Sequence, residues 1–267
     1  MQQLACDFRA ECVALNELLM RMDATEWRTP TQFKGWTADD IIGHLHVFDY
    51  AAQLTLSGAV AVREFFDYLQ ANRSPTWTLR DVTRQWLAGC AGPTLRVRWF
   101  EFAMQLAARY AALDPKMRVA WGGPSMSVRS LLSARLMETW AHGQALFDLL
   151  GAERVETDRV RSIAQLGINT FEWSFRVRGL AVPDLRPFVR LRAPSGAYWE
   201  WNSPDSPERI EGSAVDFCRV VTQTRNIADT QLNCTGAVAC KWMAIAQCFA
   251  GPPEDPPAPG TRFRRVR

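Results

Sequence analysis

Apolar side chains return at helical spacing through most of the first 150 residues, and that period limits this part of the chain to a helical assembly. Leu4, Phe8, Val13, Leu15, Leu18, Leu19 and Met22 place the first helix over residues 3–23. Thr37, with Asp40 three residues on, has the form of a capping box with Asp in place of Glu, and opens a second helix that runs to about residue 57. Helical stretches follow over 61–71, from Thr78 with Asp81 at the matching cap position, and over 94–113. A long helix runs from Ser127 to Leu150, where Gly151 caps it.

Beyond that point the pattern changes. After a helix near 154–172, the segments 188–192 and 198–201 flank a Pro194-Ser195-Gly196 turn and read as a hairpin. Two helices follow, about 213–224 and 236–249. The expectation is a mainly α chain: a helical bundle over residues 1–152, a small α+β domain over 153–251, and a Pro-rich, basic and disordered tail over 252–267.

Charge narrows the function classes. With 31 basic and 28 acidic residues the net charge is +3, too even for a nucleic-acid binder. The one basic cluster, Arg262, Arg264, Arg265 and Arg267, is a short terminal run that reads as solvated. No stretch has the length of a membrane span and no export signal is visible, so neither a membrane nor a nucleic-acid partner is expected. Seven cysteines, an odd count without a C-x-x-C pair, argue against a disulfide framework or zinc ribbon and for a reducing cytoplasm. The eleven tryptophans fill a core or line a pocket.

The chain has three histidines, His44, His46 and His142. On a helical wheel His44 falls about 60° from the centre of the apolar face formed by Ile41, Leu45, Phe48 and Ala52, and His46 about 140° away. His44 is therefore expected beside the core and His46 toward solvent. In the long helix Glu138 and His142 fall about 20° to either side of Leu131, in the middle of the apolar stripe. They are four apart and share a face.

A carboxylate at the centre of an apolar stripe needs a partner or a proton. A divalent cation, bound between facing helices by neutral imidazole and carboxylate together, meets that need. Two His and one carboxylate leave an open fourth position, as in catalytic zinc sites; Fe(II) accepts the same set. The competing reading pairs Glu138 with Arg135 at i, i+3 and leaves His142 in the core. The wheel alone does not separate the two.

The stretch Gly35-Trp36-Thr37-Ala38-Asp39-Asp40-Ile41-Ile42-Gly43-His44-Leu45 resembles the first metal motif of the DinB-like, mycothiol-dependent maleylpyruvate isomerase superfamily. Ala134-Arg135-Leu136-Met137-Glu138-Thr139-Trp140-Ala141-His142-Gly143-Gln144 resembles the second. Residues 119–127, 214–223 and 244–251 are similar to an actinobacterial branch of the superfamily, the last two to its sterol-carrier-like α+β C-terminal domain.

The resemblance implies a four-helix bundle with one divalent ion, zinc the expected metal, on His44, Glu138 and His142. It also implies mycothiol as thiol cosubstrate, and either isomerase activity or thiol S-transfer, including in sulfur-antibiotic biosynthesis. Metal coordination would deprotonate the thiol, and the thiolate would attack an electrophilic carbon of a small molecule. Arg135 is a candidate for the ligands' surroundings or for binding an anion. Gln223 and Arg225 are candidate cosubstrate or substrate contacts, expected from a cleft between domains. Asp39 and Asp49 read as helix-surface or capping residues. A thiol-independent metal hydrolase and a non-enzymatic carrier of apolar ligands remain the competing classes, and either a monomer or a homodimer is compatible with the sequence.

Overall fold

The computed structural model describes residues 1–266; Arg267, the last of the terminal basic cluster, lies outside them. The chain divides into two compact units, Met1–Leu150 and Gly151 onward. It is mainly α, with a small α+β second part.

The first unit is built on four long helices: α1 (Gln2–Leu19), α3 (Ala38–Leu54), α6 (Gly92–Ala111) and α7 (Val128–Leu149). Helix α1 packs on α6 and α7, and α3 packs on the same two, which closes a four-helix bundle. Phe8, Leu15, Ile41, Leu45, Trp99, Tyr110 and Trp140 are fully buried at its centre. Burying each such side chain contributes about 1.5–3 kcal/mol. A short α2 (Ala24–Arg28) precedes α3, while α4 (Ala59–Ala71) and α5 (Leu79–Trp86) cover its outer side. Between α6 and α7, strands β1 (Arg118–Val119) and β2 (Met126–Ser127) pair antiparallel.

Local chemistry sets where these helices begin. Thr37 and Asp40 form the capping box anticipated for α3, with Thr37 N donating to Asp40 Oδ2 at 3.0 Å. Arg84 of α5 closes on the same carboxylate with two hydrogen bonds, 2.7 and 2.9 Å, and so ties α5 to the start of α3. Asp23 and Glu26 make a further capping box at α2.

In the second unit a 3-10 turn (Asp158–Val160) leads to α8 (Arg161–Asn169) and α9 (Phe171–Arg176). The single helix expected there is broken at Thr170, whose hydroxyl donates back to Leu166 O at 2.8 Å. The hairpin of β3 (Phe188–Arg192) and β4 (Tyr198–Trp201) forms as expected. Its other edge gains β5 (Arg209–Ser213), parallel to β3, and β6 (Asn233–Thr235) follows antiparallel, giving the order β4-β3-β5-β6. Helices α10 (Ala214–Val221) and α11 (Ala237–Ile245) end earlier than the sequence pattern suggested. Trp242 of α11 is fully buried against Phe171 and Phe217.

The Pro-rich segment, expected to be disordered, is seated on this unit. Gln223 donates to Glu254 O at 2.7 Å, Asn226 to Pro257 O at 2.8 Å, and Gly260 N to Asp229 at 2.9 Å. Arg178 pairs with Asp255 at 2.9 Å and Arg262 donates to Gln223 O at 2.6 Å. Proline lacks an N–H but keeps its carbonyl acceptor, so such a run docks through side-chain donors instead of a strand ladder.

Candidate metal centre

His44 comes from the middle of α3; Glu138 and His142 come one turn apart on α7. Glu138 Oε2 lies 3.3 Å from His44 Nε2 and 3.1 Å from His142 Nε2, and all three donor atoms fall within 4.8 Å of one another. Two ligands bound to one tetrahedral zinc at about 2.0–2.1 Å stand roughly 3.4 Å apart. The donor set and spacing therefore fit a divalent ion. The side chains are 14%, 22% and 13% exposed for His44, Glu138 and His142, so the cluster can be reached from solvent on one side.

Electrostatics favour the ligand protonation states. Burial, aided by the neighbouring His142, lowers the His44 pKa to about 4, leaving a neutral imidazole at pH 7. Burial pushes Glu138 upward, but hydrogen bonds from His142 and His44 outweigh it, and the carboxyl titrates well below its ordinary value.

Ring packing orients the imidazoles. His44 Nδ1 is buried without a hydrogen-bond partner. The ring is held instead by Phe48 at 4.8 Å and Trp36 at 5.4 Å between centroids. Trp36 also stacks on His142 at 5.7 Å with an interplanar angle of 2°, and Phe33 meets His142 edge-on at 5.0 Å. Trp36 and Phe33 sit in the loop before α3, where no helical period marks them.

Behind the cluster lies a buried charge pair. Arg135 of α7, 3% exposed, donates from Nε to Asp49 Oδ1 at 2.9 Å and from Nη2 to Leu45 O at 3.2 Å. Trp99 Nε1 donates to the other Asp49 oxygen at 3.1 Å. Arg135 is thus neither the i, i+3 partner of Glu138 that the competing reading gave nor an available anion site: its guanidinium crosses to α3, behind the cluster. Asp49, expected at the surface, is fully buried as its partner. Asp39 caps the start of α6 by accepting from Gly92 N at 2.6 Å.

His46 also departs from expectation. It is 2% exposed, packed against Trp86 and Phe102, with neither ring nitrogen hydrogen-bonded. Burial, with Arg98 adding to it, lowers its pKa to about 4. The sign follows: with an unfolded value near 6.5, its contribution to stability is complete above about pH 6.5 and is lost as pH falls toward 4, about 3 kcal/mol in all. His46→Phe, which suits the aromatic surroundings, is expected to shift acid unfolding to lower pH when followed by circular dichroism; an unchanged acid midpoint would contradict it.

The two remaining candidates lie in the second unit. Gln223 is buried, and its amide donates to Ala246 O at 3.0 Å, just past α11, as well as to Glu254 O in the tail, which ties the two segments together. Arg225 is half-buried and donates to Thr224 O at 2.9 Å. The structure therefore gathers His44, Glu138 and His142 into one cluster, with Arg135 behind it, and gives Gln223 a structural task.

Residues 8–147 match the family described as the mycothiol maleylpyruvate isomerase N-terminal domain. Two curated relatives from Mycobacterium tuberculosis, the uncharacterized proteins MT0041 (strain CDC 1551 / Oshkosh) and Rv0036c (strain H37Rv), are each 40% identical over 248 residues, covering 92% of this chain and 95% of theirs. Crystal structures of mycothiol-dependent maleylpyruvate isomerase and of a histidine-to-alanine mutant of it share the fold, with a TM-score of 0.52. They are 17% and 16% identical, and the match covers 82% of this chain and 87% of theirs. No helix among the described residues is long and apolar enough to cross a membrane.

Proposed function

Because this chain belongs to the mycothiol maleylpyruvate isomerase N-terminal domain family, we propose that it is a metal-dependent enzyme that uses mycothiol as a nucleophile on a small electrophilic molecule, as an S-transferase or an isomerase. The observation that carries this reading is the convergence of two imidazole nitrogens and a carboxylate oxygen within 4.8 Å on a partly exposed face. His44, Glu138 and His142 would hold one divalent ion, with zinc the best match to the donors. Such an ion supplies a position at which a thiol loses its proton near neutral pH, so that the sulfur is nucleophilic.

The protein's own residues set the conditions. Glu138 brings the one negative charge of the donor set, and neutral His44 adds a donor without a competing proton. Trp36, Phe33 and Phe48 fix the ring planes of the two imidazoles. Arg135 and Asp49 fix the spacing of the two helices that carry the donors.

A thiol-exchange assay tests the proposal. Zinc-loaded protein is expected to accelerate transfer of mycothiol sulfur to a model electrophile, chelator to abolish the acceleration, and added zinc to restore it. Acceleration that survives chelator would refute the metal's role. Chelator-sensitive hydrolysis without any thiol requirement would replace the reading with a metal hydrolase.

A further inference from the structure

The sheet of the second unit has one open face, and that face carries a groove. Along β3 the side chains alternate: Val189 and Leu191 are fully buried on one side, and Arg190 and Arg192 stand exposed on the other. The register sets Arg190 between Glu200 of β4 and Glu211 of β5, and Arg192 between Tyr198 and Ser213. From the hairpin turn at Pro194 to the start of α10 these strands leave a groove of about 600 Å³, within the range of about 300–1,000 Å³ usual for small-molecule sites. Arg190, Arg192, Pro194, Tyr198, Ser213 and Val215 line it.

The charges on this face do not cancel. Glu200 Oε1 lies 3.2 Å from Arg190, and Glu211 Oε1 lies 3.3 Å from Arg209, so each acid has its own arginine. The Arg190 guanidinium is further engaged 4.5 Å over the Tyr198 ring. Arg192 is the cation left over. Its cross-strand neighbours carry hydroxyls, and among the described residues no carboxylate pairs with it. A guanidinium stays charged at any working pH, and its planar fork of N–H donors matches two oxygens of one carboxylate or phosphoryl group.

The walls are held from both ends. Ser195, in the turn beside Pro194, donates to Asp158 from N at 2.9 Å and from its hydroxyl at 2.7 Å. A Cβ on Gly212 would lie 2.9 Å from Leu232 Cδ2 and 3.2 Å from Gln231 O, so glycine lets the segment before β6 close against β5 and bring Gln231 to the groove. Walls fixed before a ligand arrives lower the cost of binding it.

We propose that this groove binds a small organic oxyanion, a carboxylate or phosphoryl group received by Arg192, with the rest of the molecule lying against Pro194, Tyr198 and Val215. The site is built wholly from the second unit and does not rest on the metal centre or its thiol chemistry.

The full chain is titrated with phenyl phosphate, phenylacetate and the uncharged phenylethanol, after chelator treatment and again with zinc restored, and amide resonances are followed by NMR. At least one anion is expected to shift the amides of Arg192, Ser213 and Val215 in both metal states, and to bind at least about fivefold more tightly than the alcohol. The tighter anion identifies the source of the oxyanion. Arg192→Gln is expected to weaken the anion about tenfold and to leave the alcohol and the melting temperature unchanged, because the side chain is exposed and has no partner to lose. Arg192→Lys, which keeps the charge without the fork, is expected to fall between. Shifts confined to residues around His44 and His142 would overturn the proposal. So would equal binding of the alcohol, anion binding that survives Arg192→Gln, or no shift at the groove amides with any probe.

Discussion

His142→Ala is expected to purify without its divalent ion, while the parent protein carries about one equivalent. The expectation follows from the donor count. Among the described residues three donors come within reach of one point, and losing His142 leaves His44 and Glu138, a pair spread over two helices. Removing even an outer partner of a metal ligand costs about 10–100-fold in affinity, and losing a direct donor should cost more. Glu138→Gln should weaken binding as well, because the amide keeps the shape but not the charge that two imidazoles require to hold a dication. Elemental analysis and competition with a chelator measure both. An alanine variant that keeps full occupancy would remove His142 from the donor set.

The second large effect is expected from the pair behind the centre. Asp49→Ala leaves the Arg135 guanidinium buried without its carboxylate and leaves Trp99 Nε1 without an acceptor. Breaking a buried pair from one side typically costs about 3–5 kcal/mol. Urea unfolding should show that loss. Replacing both residues together, Asp49→Leu with Arg135→Leu, should recover much of it, because no lone charge remains. If the pair also spaces the donor-bearing helices, the double variant will still bind zinc less tightly despite its recovered stability. A single Asp49→Ala variant as stable as the parent would show that the pair contributes nothing.

That His44, Glu138 and His142 come together was legible in the sequence for a simple reason. Glu138 and His142 stand at i, i+4 on one helix and so share a face whatever that helix packs against, and His44 sits at the edge of the apolar face of α3. The same wheel failed for His46 and Asp49. It assumes one wet side, but α3 is packed by α5, α6 and α7 together, so residues turned away from its most apolar stripe still meet protein. For Arg135 the wheel offered the neighbourhood of the ligands but not the partner: on its own helix the nearest carboxylate is Glu138, whereas the one it pairs with, Asp49, sits on α3. The rings that pack on His142 lay out of reach because Trp36 and Phe33 are in a loop without a period. Strands β5 and β6 gave little signal, with glycine or asparagine in place of β-branched runs; β5 pairs along the second edge of β3, and β6 along the edge that β5 then offers.

His44 and Glu138 are 94 residues apart along the chain. A cation shared between them would act as a removable staple across α4, α5 and α6, shrinking the freedom of the unfolded chain much as a covalent cross-link of that span does, by about 4–5 kcal/mol in the loop-entropy picture. The persistence of the folded protein would then track the free-ion concentration around it. Scarcity of the ion would thin the population of the protein as well as silence its chemistry.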